Sequence, residues 1–142
     1  MLNKKSEANL KVARICLKKK DESFCSVGVS RAYYAVFQAT KWLLVKNSFD
    51  YQKFKRNNPM AMGQRDYAHG TIRIALEYFL KDNGFNSRED LIFIKKMHSI
   101  FRQLYNLRLK GDYKETFIRK KDLKKAIERA EMFINELKKY NC

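Results

Sequence analysis

Residues 87–113 read SREDLIFIKKMHSIFRQLYNLRLKGDY, and the spacing of their apolar side chains predicts one long helix. Ile94, Met97, Phe101, Leu104 and Tyr105 recur at steps of three and four residues, which places them on a single stripe of a 3.6-residue helix. Ser87 stands where an N-cap belongs, with Glu89 and Asp90 in the first turn. Gly111 and Asp112 read as the basic, glycine-broken turn that ends the helix. His98 and Arg108 fall on the same stripe as the apolar residues. A guanidinium facing a core costs on the order of several kcal/mol unless it is paired, hydrated or held at an interface. Arg108 therefore either snorkels to water and the last carbonyls at a fraying helix end, or belongs to a site.

The same periodicity extends outward in both directions. A helix from about Glu22 to Lys46 carries Val29, Ala32, Tyr33, Val36, Phe37, Thr40, Leu43 and Leu44 on one face. Beside that face lie Ser26, Ser30, Arg31, Tyr34 and Gln38, too polar for a core and too aromatic for plain solvent, as an interface or a site lining requires. The first helix is expected from about Lys4 to Lys20, with Ala8, Val12, Ile15 and Cys16 buried and a lysine-rich end that suits the helix dipole. From Asn47 to about Tyr67 the pattern lapses, and a loop is expected there. Its Lys53, Lys55, Arg56 and Arg65 are interleaved with Tyr51, Phe54 and Tyr67, the composition of a single-stranded nucleic-acid contact and equally of a lysine-rich loop. A short helix from about His69 to Lys81 turns Ile72, Ala75, Leu76, Phe79 and Leu80 inward and stops at Asn83-Gly84. The final helix, about Lys120 to Lys139, has the cleanest amphipathic pattern: Leu123, Ala126, Ile127, Ala130, Phe133, Ile134 and Leu137. The expected fold is all-α, an antiparallel four-helix up-down bundle with an additional short helix, in a single domain over residues 1–142.

Composition agrees with that class and narrows the partners. With 5 Gly, 1 Pro and 45% apolar residues, strand signals are nearly absent. The net charge of +16, from 31 Lys and Arg against 15 Asp and Glu, exceeds what solubility needs and attracts polyanions. A lysine-rich genome would account for part of that excess. Cys16, Cys25 and Cys142 show no close pairing or metal spacing, no apolar run approaches the ~20 residues of a membrane span, and the N-terminus lacks a signal-peptide stretch. The chain thus reads as cytoplasmic, with no membrane partner.

The inventory holds no glycine-rich phosphate loop, no HExxH, no Cys cluster and no GxSxG. No cofactor and no metal is expected. What remains is a site for an anionic substrate built from Arg, Tyr, Ser, Asp and His. Such a set cleaves RNA without metal, because the 2′-hydroxyl supplies the nucleophile and the protein need only orient the backbone, stabilise the phosphorane and move one proton. Arg108 suits the phosphate, whereas Tyr113, with a reference pKa near 10, is a hydrogen-bond donor rather than a base at neutral pH.

Three segments in order, Ser30-Arg31-Ala32-Tyr33-Tyr34-Ala35-Val36-Phe37-Gln38-Ala39, then His69-Gly70, then Leu107-Arg108-Leu109-Lys110-Gly111-Asp112-Tyr113, together resemble the HEPN family of small helical proteins. The likeness is to stand-alone members with an SRAYYA-type second helix and an R-x-x-A/G-D-Y turn, and it spans Ser23 to Phe133. The resemblance implies a helical bundle that pairs as a homodimer and cuts RNA without metal, through an Arg followed four to six positions later by a His. It also implies a toxin encoded beside a minimal nucleotidyltransferase antitoxin. Arg108 takes the Arg position, and Tyr113 stands where the His is expected. Some of the toxins have a Tyr two positions beyond that His, and here the position is Glu115.

The expectation is a metal-independent endoribonuclease of toxin or defence type, working as a homodimer. Arg108 would bind phosphate, Tyr113 and Asp112 would position or hydrogen-bond, and His69 would be the proton-transfer imidazole. Ser30, Arg31 and Tyr34 would form the facing wall, with Lys110, Lys55 and Arg56 on the RNA backbone. Pairing through the second helix and the long helix would set two copies of Arg108 near the axis. The alternative is a catalytically inactive HEPN module that binds a nucleotidyltransferase partner, a nucleotide or RNA.

Overall fold

Capping residues and apolar stripes define six helices in the computed structural model, which describes residues 3–113 and 118–141. Helix α1 is Lys4–Lys18, opened by Asn3, whose side chain accepts from the Lys5 amide. Helix α2 is Phe24–Lys46 and α3 is Tyr51–Asn57, the latter capped by Asp50 and followed by a 3-10 turn at Pro59–Ala61. Helix α4 is Ile72–Asp82, α5 is Arg88–Tyr113, and α6 is Lys120–Leu137. Among the described residues there is no strand, so the chain is all-helical. None of these helices is long and apolar enough to cross a membrane.

Helix α2 is the element on which α1, α4, α5 and α6 pack. Its predicted face is buried throughout, the small residues Gly28, Ala35 and Ala39 widen that buried surface, and Phe24, Val27, Arg31 and Val45 stay exposed. Small side chains matter here because they let neighbouring backbones approach closely. A Cβ on Gly28 would fall 2.6 Å from Leu123 Cδ1 and 3.2 Å from Cys16 Cβ. Ser6 of α1 donates to the Ala35 carbonyl of α2 at 2.8 Å, which satisfies a polar group inside the core. The predicted inward faces of α4 and α6 are all buried, as are Ile94, Met97, Phe101 and Leu104 of α5. Reciprocal bonds between Ser87 and Asp90 cap α5, and Gly84, at φ +83°, supplies the left-handed stop after α4.

Four expectations are corrected. Helix α1 buries Ser6, Leu10, Ala13 and Cys16 and leaves Ala8, Val12 and Ile15 exposed. The Ser6 bond to α2 and the small Ala13 allow a closer approach than the bulkier pair would. Residues 47–67 are not a plain loop: α3 forms there, and Tyr51 and Phe54 are buried among Phe49 and Tyr78 instead of offering stacking faces. Helix α4 begins at Ile72, because the Thr71 and Ile72 amides both bond the Ala68 carbonyl in a turn that holds His69. Finally, α5 continues through Gly111. That glycine is a packing residue, since a Cβ there would lie 3.0 Å from Ser26 Cβ on α2.

Candidate functional site

The two residue types that periodicity placed uneasily, Arg108 on an apolar stripe and the tyrosines of the SRAYYA segment, meet where α5 crosses α2. Neighbours on a helix point about 100° apart, so Tyr33 enters the core at 1% exposure while Tyr34 stays at its edge. The Arg108 guanidinium carbon lies 5.4 Å from the Tyr33 ring centroid and 5.0 Å from that of Tyr34. Two aromatic faces thus offset part of the desolvation of a charge whose side chain is only 17% exposed. Arg108 Nε is buried and has no hydrogen-bond partner among the described residues. Asp112 Oδ2 stands 3.5 Å from it, an ion-pair distance too long for a good hydrogen bond.

His69 joins this cluster from the turn before α4. Tyr67, just upstream, holds a left-handed backbone at φ 58°, uncommon for a bulky residue. The imidazole stacks on Phe37 at 4.3 Å, and its Nδ1 lies 2.7 Å from the Tyr33 hydroxyl. Burial, with the charges of Arg108 and Arg65, pushes the His69 pKa below its ordinary value, so the ring is neutral at neutral pH. Burial pushes the Tyr33 hydroxyl well up, against the opposing pull of Arg108, and it stays protonated. Their bond satisfies both groups in either tautomer. With the hydroxyl donating to Nδ1, Nε2 carries the proton; with Nδ1 donating to the hydroxyl oxygen, Nε2 is a free base.

A pocket of about 210 Å³ adjoins the cluster, with Tyr33, His69 and Gly70 on one side and Phe101 and Tyr105 on the other. Arg73 and Arg102 complete its lining. Arg73 Nη1 donates to His98 Nδ1 at 2.9 Å, which fixes the imidazole proton on Nε2, and Nε2 donates to Glu77 Oε1 at 2.5 Å. Burial pushes the Glu77 carboxyl up, but hydrogen bonds from Lys81 and His98, with the Lys81 charge, outweigh it and hold the pKa below the ordinary value.

The structure therefore brings Arg108, His69, Tyr34 and Asp112 together. Ser30 is half-buried one turn before Tyr34, and Lys110 is half-buried in the last turns of α5. Arg31 turns away, donating to Asn9 of α1 at 3.3 Å. Lys55 is held by Asp66 at 2.6 Å and lies over the Tyr51 ring, and Arg56 is exposed on α3. The side chain of Tyr113, like Glu115, lies outside the described residues. Sequence reasoning assigned Tyr33 and Tyr105 to apolar stripes, although Tyr105 is exposed at the pocket, and it passed over Arg73 and Arg102. The i,i+4 row Arg73, Glu77, Lys81 on α4 was the available signal for the first of these.

A protein of Methanocaldococcus jannaschii named Putative toxin MJ0605 is 27% identical to this chain over 135 residues, which cover 94% of the chain and 81% of that protein. No family model and no solved structure matches the chain.

Proposed function

We propose that this chain is a toxin-like, cytoplasmic HEPN protein: one domain, a four-helix up-and-down bundle with an additional short helix, that pairs as a homodimer and cleaves RNA without a metal. The observation that supports the reading is the Arg108 cluster. A partly buried guanidinium sits on two tyrosine faces, lacks a hydrogen bond at Nε and stands beside a neutral histidine. In the reaction, the RNA 2′-hydroxyl attacks the adjacent 3′-phosphate and the bond to the next nucleotide's 5′-oxygen breaks, leaving a 2′,3′-cyclic phosphate, while Arg108 meets the charge that develops on the phosphorane oxygens. His69 takes the hydroxyl proton at Nε2 once its other proton is donated from Nδ1 to Tyr33, and its lowered pKa keeps it in the base form at pH 7. The proton that His69 takes up passes on to the departing 5′-oxygen. Asp112 orients Arg108. The name of the M. jannaschii relative adds weight to the toxin assignment, and a minimal nucleotidyltransferase antitoxin is the partner that assignment implies.

The test is end-labelled structured RNA incubated in EDTA with the parent, Arg108→Ala, His69→Asn and Tyr113→Phe. Cleavage by the parent that falls about 100-fold or more in the first two variants is expected. The Tyr113→Phe lane shows whether a phenol stands in for the missing motif histidine. The second reading, a non-cleaving HEPN module for RNA, a nucleotide or a nucleotidyltransferase, is favoured by one arrangement of the same bond: with the Tyr33 hydroxyl donating to Nδ1, the imidazole keeps its proton on Nε2 and offers no base. If no lane cuts while the parent still shifts RNA in a salt-dependent way, that reading stands and the nuclease falls.

A further inference from the structure

The pocket beside Arg108 has a composition the cleavage chemistry does not call for. Its volume, about 210 Å³, is several times a water's ~30 Å³ share of liquid volume and below the ~300 Å³ at which clefts for whole small molecules begin. A single ring system suits that space. Phe101 is buried, and Tyr105 and His69 are partly open, so flat aromatic surface faces the cavity. Besides the tyrosine hydroxyls and the His69 imidazole, the charged groups of the lining are guanidiniums, Arg73 and Arg102, which only donate, and no carboxylate or side-chain amide lines the pocket.

We propose that this pocket receives one unstacked guanine base of the RNA, read along its O6/N7 edge by Arg73, and so selects which phosphate reaches Arg108. This rests on the reading of the Arg108 cluster as an RNA site. Guanine offers two adjacent acceptors that match a guanidinium fork, whereas adenine sets its N6 amino donor against the same fork. Arg73 is suited to the task because its own position is fixed: Nη1 is anchored on His98, and His98 on Glu77. His98 and Glu77 are thereby positioning residues. Tyr33 lines the pocket and also underlies Arg108. A base in the pocket and a phosphate at Arg108 are consequently neighbours across one ring, a spacing a single nucleotide satisfies.

The experiment is a ligand-observed NMR titration of the full chain with 5′-GMP, 5′-IMP, 7-deaza-GMP and 5′-AMP, run beside mapping of cleavage sites in the EDTA assay. GMP and IMP should bind about tenfold tighter than AMP, the discrimination of one bidentate contact. Loss of N7 should remove most of that advantage. Arg73→Lys, which keeps the charge and loses the fork, should level GMP with AMP; Tyr105→Ala, checked for native circular dichroism, should strip an open ring from the pocket wall and weaken binding of both nucleotides. Equal binding of GMP and AMP, no saturable binding of either, or a preference that survives Arg73→Lys overturns the proposal. Arg108-dependent cleavage with no guanosine bias would sink the pocket and leave the nuclease. Discriminating nucleotide binding without cleavage would sink the nuclease and leave the pocket.

Discussion

A guanidinium inside a protein is usually matched by a carboxylate in hydrogen-bond contact, and Arg108 is matched instead by the faces of Tyr33 and Tyr34, with Asp112 at the looser distance of 3.5 Å. That choice leaves donors for an incoming anion while the charge remains tolerable without one. It also acts on His69, whose pKa is depressed first by burial and then by Arg108 and Arg65. Between the lowered folded value and the ordinary value near 6.5, the unfolded chain binds more protons than the folded one, so stability rises with pH through that window and is lost as pH falls below about 6.5. Glu77, also depressed, acts lower, below its ordinary 4.5. Urea midpoints for the parent should therefore decline from pH 7 to pH 5, and His69→Asn should flatten that stretch while leaving the fall below pH 4.5 in place. An unchanged slope in His69→Asn would assign the titration to another group.

At the scale of elements, close approach to α2 decides what the other helices can be. Alanine in place of a mid-helix glycine ordinarily gains about 1 kcal/mol of propensity. Gly28→Ala should reverse that sign, because its Cβ would lie 2.6 and 2.7 Å from the two terminal carbons of Leu123, with Cys16 Cβ at 3.2 Å beside it. Leu123 is fully buried and has nowhere to rotate without displacing neighbours, so a net loss of about 1–3 kcal/mol is expected in urea denaturation. A variant as stable as the parent would mean the α2–α6 contact is looser than drawn. The same geometry explains what could be read in advance. Helices α4 and α6 and the core face of α2 were legible because large apolar residues recur in every turn of their stripes. The α1 face was not, since the buried side is chosen by Ser6 and Ala13, whose value lies in a partner carbonyl and a short distance that no periodicity displays. Gly111 looked like a stop for the same reason, its role being set by Ser26 across the interface. In the site, Arg108 stood out as a charge on an apolar stripe. Tyr33 did not, because a tyrosine that floors a site and one that fills a core have the same spacing. The Arg73 pocket needed α4 and α5 to be brought together before it existed.

For the whole molecule, the +16 charge sets two associations against each other. RNA binding releases counterions and weakens steeply with salt. Self-association of two like-charged chains, with both Arg108 residues near a two-fold axis in the proposed pairing, is opposed by repulsion that salt screens over about 10 Å at 0.1 M. The proposed dimer should therefore tighten as salt rises, in the range where RNA is being released. Light scattering at micromolar concentration should give twice the 17.0 kDa chain mass, with the monomer fraction greatest at low salt. Arg108→Ala, which removes two charges near the axis, should shift the dimer to lower salt. Mass at 17.0 kDa at every salt concentration would end the pairing, and cleavage chemistry that needs a second copy of Arg108 would end with it. A dimer that loosens with added salt would place complementary charges across the interface and move the axis away from Arg108, leaving each cluster to bind RNA alone.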